Sequence, residues 1–231
     1  VLAASRVAVV MPVLDEAKRI GRALDGLARF PGVRDVIVVD GGSTDGTRAI
    51  ACERGATVIA ARAGRARQLN AGADVARADV LLFLHADTTL PPDAMEHVDR
   101  TLHDPCVVAG AFRTWTVAEE PRPWFAPLLH LADVRSRLTR LPYGDQAMFV
   151  RAPVFRAVGG FPDVPLFEDL ELSRRLRARG EVRTCAASVQ VSGRRWIARP
   201  IFHTAVVNVF PLLHRLGVSP ARLARLYTDV R

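Results

Sequence analysis

Residues 79–92, DVLLFLHADTTLPP, decide the fold of this chain. The segment from Val80 to Leu84 is a continuous apolar run, and its length and composition are typical of a strand buried on both faces. A polar cluster that includes His85 and Asp87 follows at once, and two prolines then end the strand and can open a helix. Strands of this kind belong to α/β sheets, whose ligands collect at the carboxyl ends of the strands. The stretch therefore predicts an α/β fold with Asp87 beside a ligand site.

The chain before this stretch alternates strands with helices. Helical spacing of apolar residues predicts a helix within 15–30, and two further helices are expected after the loops GGSTDG and ARAG. This alternation predicts parallel βαβ units with right-handed crossovers. The predicted strands cover 6–11, 33–40, 56–60 and 79–85.

After about residue 104 the pattern changes, although no repeat, low-complexity tract or linker interrupts it. We therefore expect one domain, residues 1–231, made of two halves, 1–104 and 105–231. The second half is predicted to contain strands over 107–117 and 145–151, a helical or loop excursion over 121–141, a short helix over 153–158, an amphipathic helix over 168–179, one or two edge strands over 182–191, and a helical C-terminus.

Composition limits the class of protein. A length of 231 residues with 49% apolar residues is sufficient for a sizeable core, so disorder is excluded. The net charge of +8 favours anionic partners, which could be nucleic acid, an acidic membrane surface or a phosphorylated substrate. Lys18 is the only lysine, and a general coding bias toward arginine would give the same charge, so the charge alone does not choose among these partners.

Cysteine spacing and hydropathy indicate the compartment. Cys52, Cys106 and Cys185 are scattered, which favours a reduced compartment over a disulfide framework or a zinc site. The apolar stretch 204–213 is too short to span a bilayer and fits an amphipathic surface helix. We expect a cytoplasmic protein, and peripheral contact with the inner face of the membrane stays open.

The loop after the second strand is the first candidate site beyond Asp87. Asp40 ends that strand and is followed by GGSTDG, so its carboxylate can accept hydrogen bonds from a nucleotide base or ribose. The alternative is a tight turn, and for Asp45 we favour the role of a helix cap. A dinucleotide-binding fold is disfavoured, because its GxGxxG should follow the first strand, where this chain has PVLDEAKR.

Three further groups of residues suggest ligand contacts. Arg62, Arg65 and Arg67, with Asn70 nearby, suit a diphosphate at a helix N-terminus, although a solvated basic face would look the same. The acidic pair Glu168-Asp169 at the start of a helix is favoured by the helix dipole alone, yet the preceding loop GGFPDVPLF could present a base to a cleft. The basic and aromatic patch Arg194-Arg195-Trp196 indicates only an anion or nucleic acid.

Taken in order, these motifs resemble the family 2 glycosyltransferases with the GT-A fold. The matching stretches are MPVLDEAKRI, VIVVDGGSTDGT, GRARQLNAG, LLFLHADT, GDQAMFV and GGFPDVPLFEDLELSRRL, with a weaker match at GRRW. A bacterial subgroup described as arsenosugar-biosynthesis-type glycosyltransferases is the most similar. The resemblance implies a Rossmann-like, mostly parallel twisted sheet flanked by helices. It also implies transfer of a sugar, with inversion, from a nucleoside diphosphate donor, for which UDP is expected. The nucleotide-binding half would be 1–104 and the acceptor half 105–231.

The resemblance also implies roles for individual residues. Asp87 occupies the last position of a DxD motif, whose carboxylate binds a divalent metal, Mn²⁺ or Mg²⁺, on the donor diphosphate. Asp169 would be the general base that deprotonates the acceptor. The nucleotide would be framed by Pro12, Asp15, Glu16, Asp40, Arg67 and Ala86, and the acceptor side by Gly144, Asp145, Gln146, Glu168, Arg195 and Trp196.

Two positions depart from the family pattern. His85 replaces the first carboxylate of DxD, and in an extended segment it would point to the same side as Asp87. It could be a second metal ligand, a hydrogen-bond partner of ribose or phosphate, or a packed histidine. A histidine ligand would favour Mn²⁺ over Mg²⁺. The stretch VSGRRW lacks the glutamine of a QxxRW element, which disfavours processive polymer synthesis.

Two other functional classes remain. A sugar-phosphate nucleotidyltransferase would share the sheet but should carry a glycine-rich basic loop after its first strand, which PVLDEAK is not. A nucleotide-binding scaffold derived from an inactive enzyme is suggested by the missing first aspartate. The acceptor, a small molecule or a lipid-linked one, and the oligomeric state are not predicted, and no specific nucleic-acid binding is expected.

Overall fold

A computed structural model describes residues 6–118, 124, 126–138, 141–194 and 200–228. Strands and helices alternate through the first half, and a longer strand with more irregular connections follows. The strands are Val7–Val13 (β1), Val33–Asp40 (β2), Thr57–Ala60 (β3), Val80–Phe83 (β4), Thr88–Thr89 (β5), Val107–Val117 (β6), Phe149–Arg151 (β7) and Glu181–Ser192 (β8). The helices are Ala17–Leu27 (α1), Thr47–Glu53 (α2), Arg65–Val75 (α3), Ala94–Leu102 (α4), Ala126–Leu138 (α5), Ala152–Ala157 (α6), Glu168–Arg177 (α7), Pro200–Arg215 (α8) and Pro220–Thr228 (α9).

All eight strands join one sheet in the order β3-β2-β1-β4-β7-β6-β8-β5. β1 pairs in parallel with β2 on one side and with β4 on the other. The chain therefore passes from β1 to β2 and then to β3 on one side of β1. The helix α3 then connects β3 to β4, which lies on the other side of β1. The strand order reverses between β1 and β4, and a crevice at such a switch point is the usual ligand site of an α/β sheet.

The strands β1 and β4 of the first half are buried on both faces, as the sequence analysis predicts, whereas β3 is partly exposed at the edge of the sheet. Val7, Val9 and Met11 face a core layer formed with α1 and α4, while Ala8 and Val10 face the layer formed with α3, α6 and α7. The four predicted strands are confirmed within one to two residues at each end. The predicted α/β fold with a mostly parallel sheet is also confirmed.

The rest of the sheet differs from the predictions in three places. The predicted strand over 145–151 is a 3₁₀ turn, Gly144–Gln146, followed by the short strand β7. The predicted edge strands over 182–191 form one strand, β8, which lies between β6 and the two-residue strand β5. β5 itself was not predicted. Its pairing of Thr88 with Val191 holds the end of β8 beside the His85–Asp87 segment.

Two helices close one side of the crevice. α5 is fixed to β6 by the buried Asp133, whose carboxylate accepts hydrogen bonds from the Thr116 N–H at 3.0 and 3.1 Å. α8 packs on α5 and, with α9, encloses a small core that includes Phe167, Phe210 and Leu223. Among the described residues, no helix has both the length and the apolar character needed to cross a bilayer.

A tight contact between α3 and the sheet gives the first testable prediction. A β-carbon added at Gly72 would lie 2.8 Å from Val39 Cγ2 and closer still to Val10 Cγ1. We expect Gly72→Ala to lower the free energy of unfolding by about 1–3 kcal/mol, because both valines are held by the sheet. Urea unfolding monitored by circular dichroism measures the change.

Gly26→Ala is the matched control, because Gly26 also lies in a helix and nothing lies within 4 Å of an added β-carbon there. The helix propensity of alanine should leave this variant as stable as the wild type or up to about 1 kcal/mol more stable. Equal effects of the two substitutions would contradict the close packing of α3.

Candidate active site

The loops that follow β1 and β2 are fastened to each other at the carboxyl edge of the sheet. Asp15, with a φ of 54°, donates its N–H to Ser43 Oγ at 2.9 Å and accepts the Thr44 N–H at 2.8 Å. Asp45 accepts the Ala17 N–H at 3.0 Å. These hydrogen bonds fix the start of α1 relative to the GGSTDG loop, so this edge of the crevice is preorganised.

Asp40 and Asp45 shape the GGSTDG loop from within. Asp40 is buried, and its carboxylate accepts the N–H groups of Gly42 and Ser43 at 3.1 to 3.2 Å. Asp45 also accepts the Thr47 N–H at 2.9 Å at the start of α2, as expected for a helix cap. A short hydrogen bond from the Thr47 hydroxyl lowers the pKa of Asp45. In this structure both carboxylates thus support the loop that borders the crevice.

Glu16 and Asp87 face each other across Arg194, which follows β8. The guanidinium donates to Glu16 Oε2 at 3.1 Å, and its Nη2 lies 3.1 Å from Asp87 Oδ2. Asp87 is anchored through its backbone as well, because its carbonyl accepts the Ser192 N–H. Arg194 is 178 residues from Glu16 in sequence, so this contact joins the two halves of the chain at the site.

Two cavities border the His85–Asp87 segment. The first, of about 450 Å³, will be called the β1 cavity, and its wall includes Pro12, Glu16, Ala86 and Arg194. The second, of about 500 Å³, will be called the α8 cavity, and its wall is described below. Both cavities are bordered by the same five residues, Gly64, Arg65, His85, Asp87 and His203.

The α8 cavity has an acidic side and an apolar side. The acidic side carries Asp145, Glu168 and Asp169. The apolar side is formed by the loop before α7 and by α8. It comprises Val164, Pro165, Leu166, Phe167, Val206, Val207 and Pro211. An apolar wall opposite a few carboxylates suits a ligand with one hydroxyl-bearing end and one apolar end.

Asp169 is a buried carboxylate of the site with a raised pKa. It is buried at the start of α7, where it accepts the Gly144 N–H at 2.6 Å and the Leu170 N–H at 2.7 Å. Burial, together with the neighbouring Glu168 carboxylate, raises the pKa of Asp169. Arg65 lies 3.3 Å from Glu168 Oε1 and opposes this shift. A carboxylate with a raised pKa in a cleft is suited to general-base chemistry near neutral pH.

His85 and Asp169 approach the same point of the backbone. A β-carbon at Gly144 would lie 3.2 Å from Asp169 Oδ2 and 3.7 Å from His85 Nε2. His85 and Asp87 also border the same two cavities, as expected if they point to one side of the segment. His85 therefore lies between the candidate metal carboxylate and the candidate base, which keeps both a ligand role and a hydrogen-bonding role open.

Several predicted site residues take positions that the sequence did not indicate. Arg67 borders the α8 cavity, where it pairs with Asp163 at 2.8 Å, and it is absent from the wall of the β1 cavity. Gln146 is buried and donates to the Phe112 carbonyl at 2.9 Å, so it holds the turn that carries Gly144 and Asp145. Arg195 and Trp196 lie outside the described residues.

Sequence reasoning missed three residues of the site. Gln68 of α3 donates to the carbonyls of Val13 and Val39, at 3.0 and 2.8 Å, and so ties together the ends of β1 and β2 below the β1 cavity. Tyr143 and His203 border the α8 cavity. Gln68 lies within the matching stretch GRARQLNAG, but nothing in that stretch indicates its contacts with β1 and β2, and no motif marks Tyr143 or His203.

The donor set at Asp87 fits a divalent cation that is shared with a substrate. Among the described residues, no cluster of three or more His, Cys, Asp or Glu side chains could hold a metal by itself. Asp87 offers one carboxylate at the shared wall, and His85 offers an imidazole two residues away. Mg²⁺ and similar ions are commonly held by one or two carboxylates together with substrate phosphates. Asp87 and His85 are therefore the residues that would hold a metal here.

A mostly parallel sheet with carboxylates at its switch point and a buried carboxylate across the crevice is consistent with an enzyme of the glycosyltransferase class. The sequence model described as Glycosyl transferase family 2 matches residues 8–158, well over half of the chain. The chain belongs to this family, and the expected family is thereby confirmed. A comparison with curated proteins finds no matching sequence.

Solved glycosyltransferase structures share the fold. A mannosyltransferase from Pyrobaculum calidifontis, in complex with GDP-Man and Mn²⁺, aligns with a TM-score of 0.64 and 23% identity over 82% of this chain and 57% of its own. TarS 1-349 from S. aureus, in complex with UDP-GlcNAc, aligns with a TM-score of 0.64 and 18% identity over 82% of this chain and 59% of its own. The chain thus spans less than two thirds of either protein.

The raised pKa of Asp169 predicts how an Asp169→Asn variant responds to pH. The folded chain keeps the Asp169 proton at a pH where the unfolded chain has lost it, so ionisation costs the wild type stability as the pH rises above about 4. Asparagine carries no such cost. We expect the variant to gain stability relative to the wild type as the pH is raised above about 4, as measured by urea unfolding.

Asp104→Asn is the control, because hydrogen bonds from the Cys106 N–H and Arg183 lower the pKa of Asp104. Its stability relative to the wild type should not rise over the same pH range. Parallel stability curves for Asp169→Asn and the wild type would contradict the perturbed environment of Asp169.

Proposed function

We propose that this protein transfers a sugar, with inversion, from a nucleoside diphosphate donor to an acceptor hydroxyl. The observation that carries the proposal is the meeting of two cavities at one wall. Asp87 stands in that wall, and Asp169 lies on the acidic side of the α8 cavity. A transferase needs a donor and an acceptor on opposite sides of the reacting carbon, and two adjoining cavities provide this arrangement.

The β1 cavity is the proposed donor site. Pro12, Glu16 and Ala86 line it, at the switch point where nucleotides bind in α/β sheets. Asp15 and Asp40 contribute by holding the loops that border it. The similar structures carry donors with different bases, guanine in one and uracil in the other, and UDP is our first choice. A closer relation to the arsenosugar-biosynthesis-type subgroup stays a prediction.

Charge on the departing diphosphate would be neutralised at the shared wall. A divalent cation on Asp87, with His85 beside it, would supply Lewis-acid stabilisation of the leaving group. One of the similar structures contains Mn²⁺ with its nucleotide-sugar, which supports this choice of metal. Arg65 and Arg194 place guanidinium groups in the wall of the β1 cavity, where they favour the developing negative charge.

Asp169 is the proposed general base. It would take the proton of the acceptor hydroxyl as the oxygen bonds to the anomeric carbon and the bond to the diphosphate breaks. The Gly144 N–H holds the carboxylate in position, and the raised pKa makes it a stronger base than an exposed aspartate. A single displacement of this kind inverts the configuration of the anomeric carbon.

The acceptor would occupy the α8 cavity. Asp145 and Glu168 border it beside Asp169, while Gly144 and Gln146 shape the turn that carries Asp145. Roles for Arg195 and Trp196 on the acceptor side rest on the resemblance at GRRW. The donor cavity belongs mainly to residues 1–104, as proposed, but Arg194 and His203 from the second half complete it.

Cleavage of nucleotide-sugars tests the proposed reaction without a known acceptor. We expect the wild type with Mn²⁺ to release nucleoside diphosphate from one member of a panel of UDP- and GDP-sugars. Asp169→Asn should slow this release by about 10²–10⁴-fold, because water also needs a base. The dissociation constant for the nucleoside diphosphate, measured by calorimetry, should stay unchanged, since Asp169 is absent from the wall of the donor cavity.

Glu171→Gln is the matched control, because Glu171 lies on the same helix and pairs with Arg174 and Arg175 away from both cavities. Its rate should equal that of the wild type. An unimpaired Asp169→Asn variant would exclude Asp169 as the base. Nucleotide binding without cleavage of any donor would favour the scaffold, and formation of nucleotide-sugar from a sugar phosphate would favour the nucleotidyltransferase.

A further inference from the structure

The outer face of α8 carries a stripe of exposed apolar side chains. Ile201, Val209, Leu212 and Leu216 are 68%, 44%, 54% and 74% exposed, and Ala205 is exposed between the first two. The spacing of 4, 4, 3 and 4 residues places all five within about 80° of the helix circumference. Leu216 continues this face, because its N–H still bonds the Leu212 carbonyl. These five residues will be called the α8 stripe.

The opposite face of the same helix borders the α8 cavity. His203, Val206, Val207 and Pro211 lie in the cavity wall, and Phe210 is buried against α7 and α9. The inner face of α8 therefore packs against the rest of the protein without any contribution from the α8 stripe. A contiguous apolar surface of this kind is uncommon on a soluble monomer and marks an interaction site.

The segment of the sequence that contains the stripe carries charge of one sign. Residues 182–228 contain seven arginines and no aspartate or glutamate. Two of them, Arg222 and Arg225, are exposed on α9, which packs against α8 and also exposes Leu226. Apolar side chains next to guanidinium groups complement a surface with an apolar interior and an anionic boundary.

Neighbouring elements extend the apolar surface. α5 packs against α8 and exposes Leu131 and Val134, and Trp124 before α5 is 72% exposed. Elsewhere in the described part of the chain, the exposed large apolar side chains are Leu14, Val75, and Trp115 and Val117 of β6. Most of the exposed large apolar side chains therefore lie on α5, α8 and α9 or next to α5.

We propose that α8 and α9 dock this protein on an anionic lipid bilayer, with the α8 stripe buried at the level of the headgroups. A helix with one apolar face, flanked by arginines, lies in the plane of the interface and gains from both apolar burial and lipid phosphate. Docking through the outer face of α8 would place the α8 cavity next to the membrane. If the proposed function holds, the acceptor is then an amphiphile taken from the bilayer, with its hydroxyl at Asp169 and its apolar part against Phe167 and Val207.

Vesicle flotation tests the docking surface. We expect the protein to float with vesicles of phosphatidylcholine and phosphatidylglycerol, to bind pure phosphatidylcholine more weakly, and to lose binding as salt is raised. Replacing two stripe residues, Ile201→Gln with Leu212→Gln, should weaken vesicle binding at least about tenfold. Arg222→Gln with Arg225→Gln provides an independent variant, which should remove the preference for phosphatidylglycerol.

Val75→Gln is the matched control, because Val75 is 48% exposed on α3, outside the walls of both cavities. It should float like the wild type. A wild type that does not float, or a stripe variant that floats equally well, overturns the proposal. The proposal is also overturned if the wild type is a dimer and the stripe variant is a monomer in size-exclusion chromatography with light scattering, because a second copy would then cover the stripe.

Cleavage of nucleotide-sugars in the absence of vesicles separates this proposal from the transferase reaction. The stripe variant should cleave the donor at the rate of the wild type, because its substituted residues border neither cavity. A stripe variant that keeps the cleavage rate but no longer floats supports both proposals. A wild type that floats but cleaves no donor supports the docking surface and contradicts the transferase reaction. A wild type that cleaves a donor but does not float supports the transferase reaction and contradicts the docking surface.

Discussion

The parallel pairing of β1 with β2 and β4 is the constraint on which the site depends. The register pairs Val13 with Asp40 and Val10 with Phe83, so the three strands end at the same edge of the sheet. Residues that are far apart in sequence, such as Glu16 and Asp87, then face one crevice. The apolar runs that drive burial of these strands on both faces therefore also determine where the polar residues after them must meet.

The second half of the chain converts this crevice into a candidate active site. Arg194 joins Glu16 to Asp87, and the Gly144 N–H orients Asp169 on the other side of the shared wall. Ionisation of the buried Asp169 beside the Glu168 carboxylate costs stability, which is typical of a functional site. α8 then closes the α8 cavity with one face and leaves the other exposed. The proposed donor site, the proposed base and the proposed membrane-docking surface thus share a few elements of the fold.

The sequence predicted those parts of the structure that depend on the local pattern of apolar and polar residues. The strands β1 to β4 and the helix α7 follow from apolar periodicity, and the placement of Asp87 and Asp169 follows from the resemblance of the motifs. The contact of Arg194 with Glu16 could not be predicted, because it depends on how β8 is held by the unpredicted strand β5. The turn at Gly144 was mistaken for a strand, since its αL residue, Ala147, leaves no trace in apolar spacing. The sequence also could not predict which face of α8 is exposed, because the buried Phe210 and the exposed Leu212 are equally apolar.

A crystal structure with Mn²⁺ and a nucleoside diphosphate tests the central claim most directly, namely that donor and acceptor sites meet at the His85–Asp87 wall. We expect the base and ribose to lie beside Pro12 and Glu16, and the metal to lie on Asp87 between the protein and the diphosphate. The α8 cavity beside Asp169 should contain no nucleotide. A nucleotide bound in the α8 cavity, or a diphosphate remote from Asp87, would contradict it.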